Sequence, residues 1–282
     1  MSITEDITIN NKLASYTGED RVESAEEILK EAKKRPEIQP KPSKMTLVDG
    51  LLRGGFFPGQ LIVVSGITGH GKTTLAQTWT MNMLGNEEPE KPLWFSYEVT
   101  DIDFLKTFEK IDKMYLRHIF MPISMAKNHL KWIEERIIES HLKYGTSLVF
   151  IDHLHYLVEM NGTGNMSTRI GETCRGLKQL ALKHGMVIFL ICHTKQTKGD
   201  EELGLGSVRD SSFIEQEADT VFYIWRDEER EYHNVLKIAK NRKGGLIGKK
   251  ISLKYENGRY FEQSFRTTDN PKADSRTSRR YS

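Results

Sequence analysis

The stretch VVSGITGHGKTTLAQ, residues 63–77, constrains this chain more than any other. Gly66-Ile67-Thr68-Gly69-His70-Gly71-Lys72-Thr73 fits the phosphate-loop pattern G-x-x-x-x-G-K-[ST]. It follows the apolar run LIVVS (61–65) and precedes KTTLAQTWTMNML, which reads as a helix. Only a strand–loop–helix unit gives the pattern chemical sense. The glycines let backbone amides turn inward around phosphate oxygens, and the helix N-terminus adds a favourable dipole. Gly66, Thr68, Gly69, His70, Gly71, Lys72, Thr73 and Thr74 are thus expected to surround the phosphates of ATP. Lys72 is placed on the β- and γ-phosphates and the Thr73 hydroxyl on Mg2+. The His70 side chain is assigned no role.

The rest of the chain repeats the strand–helix alternation. LWFSY (93–97), SLVFI (147–151), VIFLIC (187–192) and TVFYIW (220–225) are apolar runs rich in β-branched and aromatic residues. Helical patterns such as TRIGETCRGLKQLALKHG lie between most of them. This predicts an α/β protein with a mostly parallel central sheet flanked by helices. Near the end, VLKIAKNR and KKISLKYENGRYFEQ read as strands, with Asn257-Gly258 marking a C-terminal antiparallel hairpin.

The expected organisation is a flexible segment (1–19), a helix and Pro-rich tether (20–44), one large domain (45–263) and a disordered basic tail (264–282). Within 20–34, Val22, Ala25, Ile28, Leu29 and Ala32 form an apolar stripe. That stripe either folds back on its own domain or docks on another subunit. A formal charge of +2 gives no sign of a nucleic-acid or membrane partner on its own. No apolar run is long enough to span a bilayer, and MSITEDITINNKL lacks a signal-peptide pattern, so an intracellular location is expected. The two cysteines, Cys174 and Cys192, sit in apolar segments and read as buried thiols.

Acids for a metal and a lytic water are sought at strand ends. Asp152 ends SLVFID and is the expected Mg2+ partner. Glu98 ends LWFSYE and is placed to orient and deprotonate water, against the alternative of an ordinary surface glutamate. His193 follows VIFLIC and either senses the γ-phosphate or caps the strand. His153, His155, Cys192 and His193 lie at strand ends too, but without a C-x-x-C pair or H-E-x-x-H helix a structural zinc is not expected.

Taken together, GGFFPGQLIVVSGITGHGKTTLA, FSYE, LVFIDHLHYL, RGLKQLALKHGMVIFLICHT, SVRDSSFIEQEADTVFYIWRDE and KNRKGG resemble the motor domain of DnaB-type replicative helicases. The resemblance spans about residues 45–262. It implies a RecA-like P-loop NTPase fold, a homo-hexamer, and ATP-driven movement on single-stranded DNA. It implies that Glu98 is the catalytic glutamate and Asp152 the metal acid, with His193 where the family often has glutamine. It implies that Lys240 and Arg242 reach a neighbouring subunit's site, where cations would stabilise charge on the transferred phosphoryl group.

For DNA, the resemblance points to Arg209, Asp210 and Ser212. The family's glutamate is Asp210 here and its glycine is Ser212, which puts amide contact at 212 in doubt. MNGTGNMST (160–168) and TKGDEELGLGS (197–207) would be channel-facing loops. Only about 45 residues precede the motor, too few for the family's primase-binding domain. The helix at 20–34 resembles the family's linker helix, which favours docking on the adjacent subunit. Primase, loader and polymerase partners stay open. A RecA-fold ATPase of recombination, or a clock-type regulatory ATPase, are the alternatives.

Overall fold

A computed structural model describes residues 13–18, 20–85, 89–125, 127–158, 165–193 and 211–263. Most of the expected N-terminal segment and the basic tail 264–282 lie outside them. The chain divides into two units between Ile38 and Gln39.

In the first unit, helix α1 spans Ala25–Lys33, so it begins at Ala25 and not at Asp20. Ser24 explains the late start. Its backbone is extended, and its hydroxyl accepts a hydrogen bond from the Glu27 N–H at 3.1 Å. Glu26 and Glu27 fall in the first turn and Lys30 and Lys33 in the last, which suits the helix dipole. Val22 lies outside the helix. No residue of α1 is buried, and Ile28 and Leu29 are 57% and 55% exposed.

The second unit is built on an eight-stranded sheet: β1 (Leu61–Gly66), β2 (Pro92–Ser96), β3 (Leu148–Asp152), β4 (Val187–His193), β5 (Thr220–Arg226), β6 (His233–Asn241), β7 (Lys250–Glu256) and β8 (Arg259–Gln263). Their spatial order is β2-β3-β4-β1-β5-β6-β7-β8. The first five run parallel, and β6, β7 and β8 follow antiparallel. The mostly parallel sheet with antiparallel C-terminal strands is as expected. Asn257 and Gly258 both have positive φ, the signature of a tight hairpin turn.

The described helices are α2 (Thr46–Leu51), α3 (Lys72–Leu84), α4 (Asp101–Glu109), α5 (Leu130–Tyr144), α6 (Leu154–Val158), α7 (Met166–His184) and α8 (Ser211–Glu217). They cover both faces of the sheet, which is why the parallel strands read as unbroken apolar runs. Ile62, Val64, Trp94, Phe150, Phe189 and Phe222 face one layer, with Trp79 of α3 and Phe104 of α4. Leu61, Val63, Phe95, Val149 and Leu190 face the other, with Trp132 and Ile137 of α5 and Leu177 of α7. Cys174 and Cys192 are buried free thiols, and burial raises the pKa of both. No described helix is long and apolar enough to cross a membrane.

One expected loop is shorter than anticipated. Asn165 caps α7 by accepting from the Ser167 N–H at 3.0 Å, so Met166, Ser167 and Thr168 are helical and not part of a loop at 160–168. Residues 159–164 and 194–210, which include the second expected loop, lie outside the described residues.

An aromatic ladder runs across three neighbouring strands. Trp94 and Phe150 pair in register with ring centroids 4.6 Å apart, and Phe150 and Phe189 pair at 4.3 Å. Both pairs are stacked. Phe150→Ala should therefore cost about 3–5 kcal/mol in urea unfolding. Leu142→Ala, at a side chain 78% exposed on α5, should change stability by less than about 0.5 kcal/mol. Equal effects would contradict this assignment of the core.

Candidate functional site

Parallel pairing sets the site, because it brings the carboxyl ends of the strands to one edge, within two residues of register of one another. Gly66 at the end of β1 pairs with His193 at the end of β4. Ser96 at the end of β2 pairs with Asp152 at the end of β3. The chain leaves β1 as the loop 66–71 and enters α3 at Lys72.

Two glycines in the loop are required by space. A Cβ on Gly66 would lie 2.3 Å from the Ile224 carbonyl oxygen, so β1 and β5 approach too closely there for any side chain. Gly71 is the N-terminal cap of α3 with φ 87°, and a Cβ there would meet the Tyr260 hydroxyl at 2.0 Å.

The polar groups of the loop converge on one another. The Lys72 ammonium is buried and donates to the Ile67 carbonyl at 3.1 Å. Burial lowers its pKa, opposed by Cys192, Asp152 and Glu98. The Thr73 hydroxyl donates to Asp152 Oδ2 at 2.6 Å. The Thr68 hydroxyl lies 3.3 Å from His193 Nδ1. The donors and acceptors fit a Mg2+-bound phosphate. A hydroxyl and a carboxylate stand together through Asp152 Oδ2, while Asp152 Oδ1 is buried with no hydrogen-bond partner.

Burial pushes the Asp152 carboxyl up to about 6. The Thr73 hydrogen bond opposes the rise, Glu98 adds to it and Lys72 lowers it. Glu98 is exposed and lies two residues beyond the end of β2, not on the strand. One carboxylate oxygen each from Glu98 and Asp152 and one ring nitrogen of His153 nonetheless fall within 4.8 Å of one another. The His153 ring is 4.4 Å from that of His193 and 5.2 Å from that of His155, centroid to centroid. Burial first, and then His193, His155 and Lys72, lower the His153 pKa to about 3.

Sequence reasoning missed what His70 does. Its Nδ1 accepts from the Arg226 N–H at 3.1 Å, and its carbonyl accepts from the Asn234 side-chain amide at 2.9 Å. Arg226 also donates to the Gly69 carbonyl at 3.0 Å. The loop tip is thus tied to the ends of β5 and β6. Beside it, Arg226, Arg230, Tyr232, Tyr255 and Tyr260 line a cleft of about 510 Å³ that opens on Gly69, Gly71 and Thr74.

Lys240 and Arg242 lie elsewhere. Lys240 Nζ donates to the Glu215 carbonyl and, at 3.3 Å, to that of Gln216. Arg242 donates to the Gln216 carbonyl, and its backbone N–H bonds the Asp219 carbonyl at 2.8 Å. Both cations therefore sit at the C-terminal end of α8, where free carbonyls favour positive charge. Lys240 pairs with Val221. Asp219 bonds Leu61 at the start of β1 through its backbone N–H and its carboxylate, at 2.9 and 2.8 Å. Arg242 is thus level with Leu61, five residues and about 16 Å along β1 from Gly66.

Asp219 is a second residue the sequence did not reveal. It bonds β1, forms a 2.6 Å ion pair with Lys178 of α7, and lies 3.8 Å from the Arg242 guanidinium as a second, looser ion pair. Its partners lie far away in sequence, and although it closes the segment IEQEAD, that pattern does not give its bonding role. Among the expected DNA contacts, Arg209 and Asp210 lie outside the described residues, and the backbone of Ser212 belongs to α8.

Residues 99–262, more than half of the chain, match the family described as DnaB-like helicase C terminal domain. A replicative DNA helicase DnaB from Haemophilus influenzae is 26% identical over 208 residues, covering 62% of this chain and 44% of that protein. A DNA repair protein RadA from Halalkalibacterium halodurans is 25% identical over 207 residues, covering 72% of this chain and 40% of that one. The chain spans less than half the length of either. A solved DnaB-like replicative helicase, described with its interactions with primase, superposes at TM-score 0.71. It is 20% identical and covers 92% of this chain and 71% of that one. The fold is RecA-like.

The raised Asp152 pKa has a consequence for stability. Its folded value lies above the ordinary 3.8, so ionisation disfavours the folded state. That penalty is absent below pH about 4, grows as pH rises through about 6 and is complete at neutral pH. In ligand-free protein, Asp152→Asn should stabilise the fold at neutral pH by at most about 3 kcal/mol, read as a higher melting temperature, and by much less near pH about 4. Destabilisation at both pH values would contradict the burial argument.

Proposed function

The chain belongs to the DnaB-like helicase C terminal domain family, and from that premise we propose that it is an ATP-driven helicase that moves on single-stranded DNA as a hexameric ring. The observation that carries the reading is the separation of two halves of one site. Lys72, Thr73, Asp152, Glu98 and His193 gather at the carboxyl edge of the parallel strands. Lys240 and Arg242 sit toward the opposite edge of the same sheet, too far along the strands to serve their own loop. A neighbouring copy brings them into use.

In this reading the loop amides and Lys72 bind the ATP phosphates, and Thr73 and Asp152 hold Mg2+. The ion would supply charge neutralisation on the phosphates. Glu98, exposed at the mouth of the site, takes the proton of the attacking water. His193, beside Thr68, hydrogen-bonds the γ-phosphate. The aromatic and arginine-lined cleft next to Gly71 accepts the nucleobase by stacking. Lys240 and Arg242 from the next subunit stabilise charge on the transferred phosphoryl group. DNA is held by Arg209, Asp210 and Ser212, and the exposed stripe of α1 docks on the adjacent subunit. These DNA and α1 assignments rest on the family likeness.

A second reading is a RecA-type ATPase of recombination or repair, favoured by the likeness to the RadA protein. Strand separation discriminates between them. The helicase reading expects ATPase stimulated by single-stranded DNA and ATP-dependent opening of a forked duplex. DNA-stimulated ATPase without any opening selects the second reading. The shared site has its own test. Lys72→Ala and Arg242→Ala proteins should each be inactive. Mixed before assembly, they should regain ATPase activity, because some interfaces then pair an intact Lys72 with an intact Arg242. No recovery on mixing would remove the trans role of Arg242.

A further inference from the structure

Asp152 is used from one side only by the arrangement just described. Oδ2 accepts from Thr73 at 2.6 Å, while Oδ1 is buried without a hydrogen-bond partner in a residue that is 2% exposed. The next residue repeats the pattern. His153 is 7% exposed, and its Nδ1 is also buried without a partner. Two adjacent orphaned ligand atoms in one buried place are costly unless something binds them. Glu98 completes the set. One oxygen from each carboxylate and one nitrogen from His153 come within 4.8 Å of one another, close enough to ligate a single ion.

We propose that Glu98, Asp152 and His153 form a second divalent-cation site, selective for imidazole-accepting ions of the zinc(II) and cobalt(II) type. The ligand chemistry sets the selectivity. Mg2+ takes hard oxygen ligands and keeps its waters, whereas an imidazole nitrogen favours borderline ions. Two carboxylates and one imidazole make a three-ligand set that leaves a position for water. Asp152 bridges the two sites, one oxygen toward Thr73 and the nucleotide, the other free for the second ion. Under the proposed ATPase reading, an ion here withdraws the Glu98 carboxylate from the lytic water, so the second site is inhibitory. The site itself does not depend on that reading.

The test is cobalt binding to the full chain, without nucleotide and in a large excess of Mg2+. It is followed by the visible absorption of bound Co2+ and by calorimetry with Zn2+. The expected result is one ion per chain, with affinity lowered about tenfold or more in Glu98→Gln and in His153→Asn. Glu98 is exposed, so Glu98→Gln reads ligand loss in a folded protein, and thermal melting confirms the fold of both variants. The absence of a Co2+ spectrum over the Mg2+ background overturns the site. So does wild-type affinity in both variants. Loss in His153→Asn with wild-type affinity in Glu98→Gln places the ion among the neighbouring histidines and also overturns the site as drawn.

Discussion

Parallel pairing of β1 with β4 on one side and β5 on the other is the constraint on which the rest of this structure depends. It buries the strand that feeds the phosphate loop, so the loop starts from a fixed point. It ends β1 and β4 level at Gly66 and His193, with Asp152 on β3 only two residues back in register, so the three gather at one edge without any of them lying near another in sequence. It also brings β5 so close that only glycine fits at position 66. Asp219 locks the other end of the same strand, by bonding Leu61 and pairing with Lys178. Loop and anchor thus lie at opposite ends of β1.

The same geometry places two cations away from the phosphate loop. Lys240 and Arg242 hold the terminal carbonyls of α8, a stable resting place for positive charge. Arg242 lies level with Leu61 at the amino end of β1 and Lys240 level with Val63. The proposed division of one site between copies rests on this placement together with the family to which the chain belongs. The ring contacts of α1 and the DNA contacts of the 194–210 segment are proposals of a different kind, carried by likeness and not by geometry.

The sheet was largely legible in the sequence, because LIVVS, SLVFI and VIFLIC are strands buried on both faces and carry no polar residue beyond a terminal serine. The loop and Asp152 were legible for a related reason: chemistry forces their residue types and places them at strand ends. Strand order was not legible, since it depends on which helices cross which face. Nor was the work of His70 or Asp219, whose partners Arg226, Leu61 and Lys178 are between 41 and 158 residues away. The start of α1 was misplaced because charge and apolar spacing continue through Asp20–Ser24, while the Ser24 cap decides the boundary. His153 and His155 were noticed as strand-end histidines. The approach of His153 to Glu98, and the lack of a partner for His153 Nδ1, needed the folded chain.

The central claim is that one working site is made by two copies of this chain. Electron microscopy of the protein with a non-hydrolysable ATP analogue on forked DNA tests it most directly. The account predicts closed six-membered rings around one strand, with density joining the loop of each subunit to Arg242 of the next. Single copies with nucleotide bound and Arg242 still on α8, or open filaments, would contradict it.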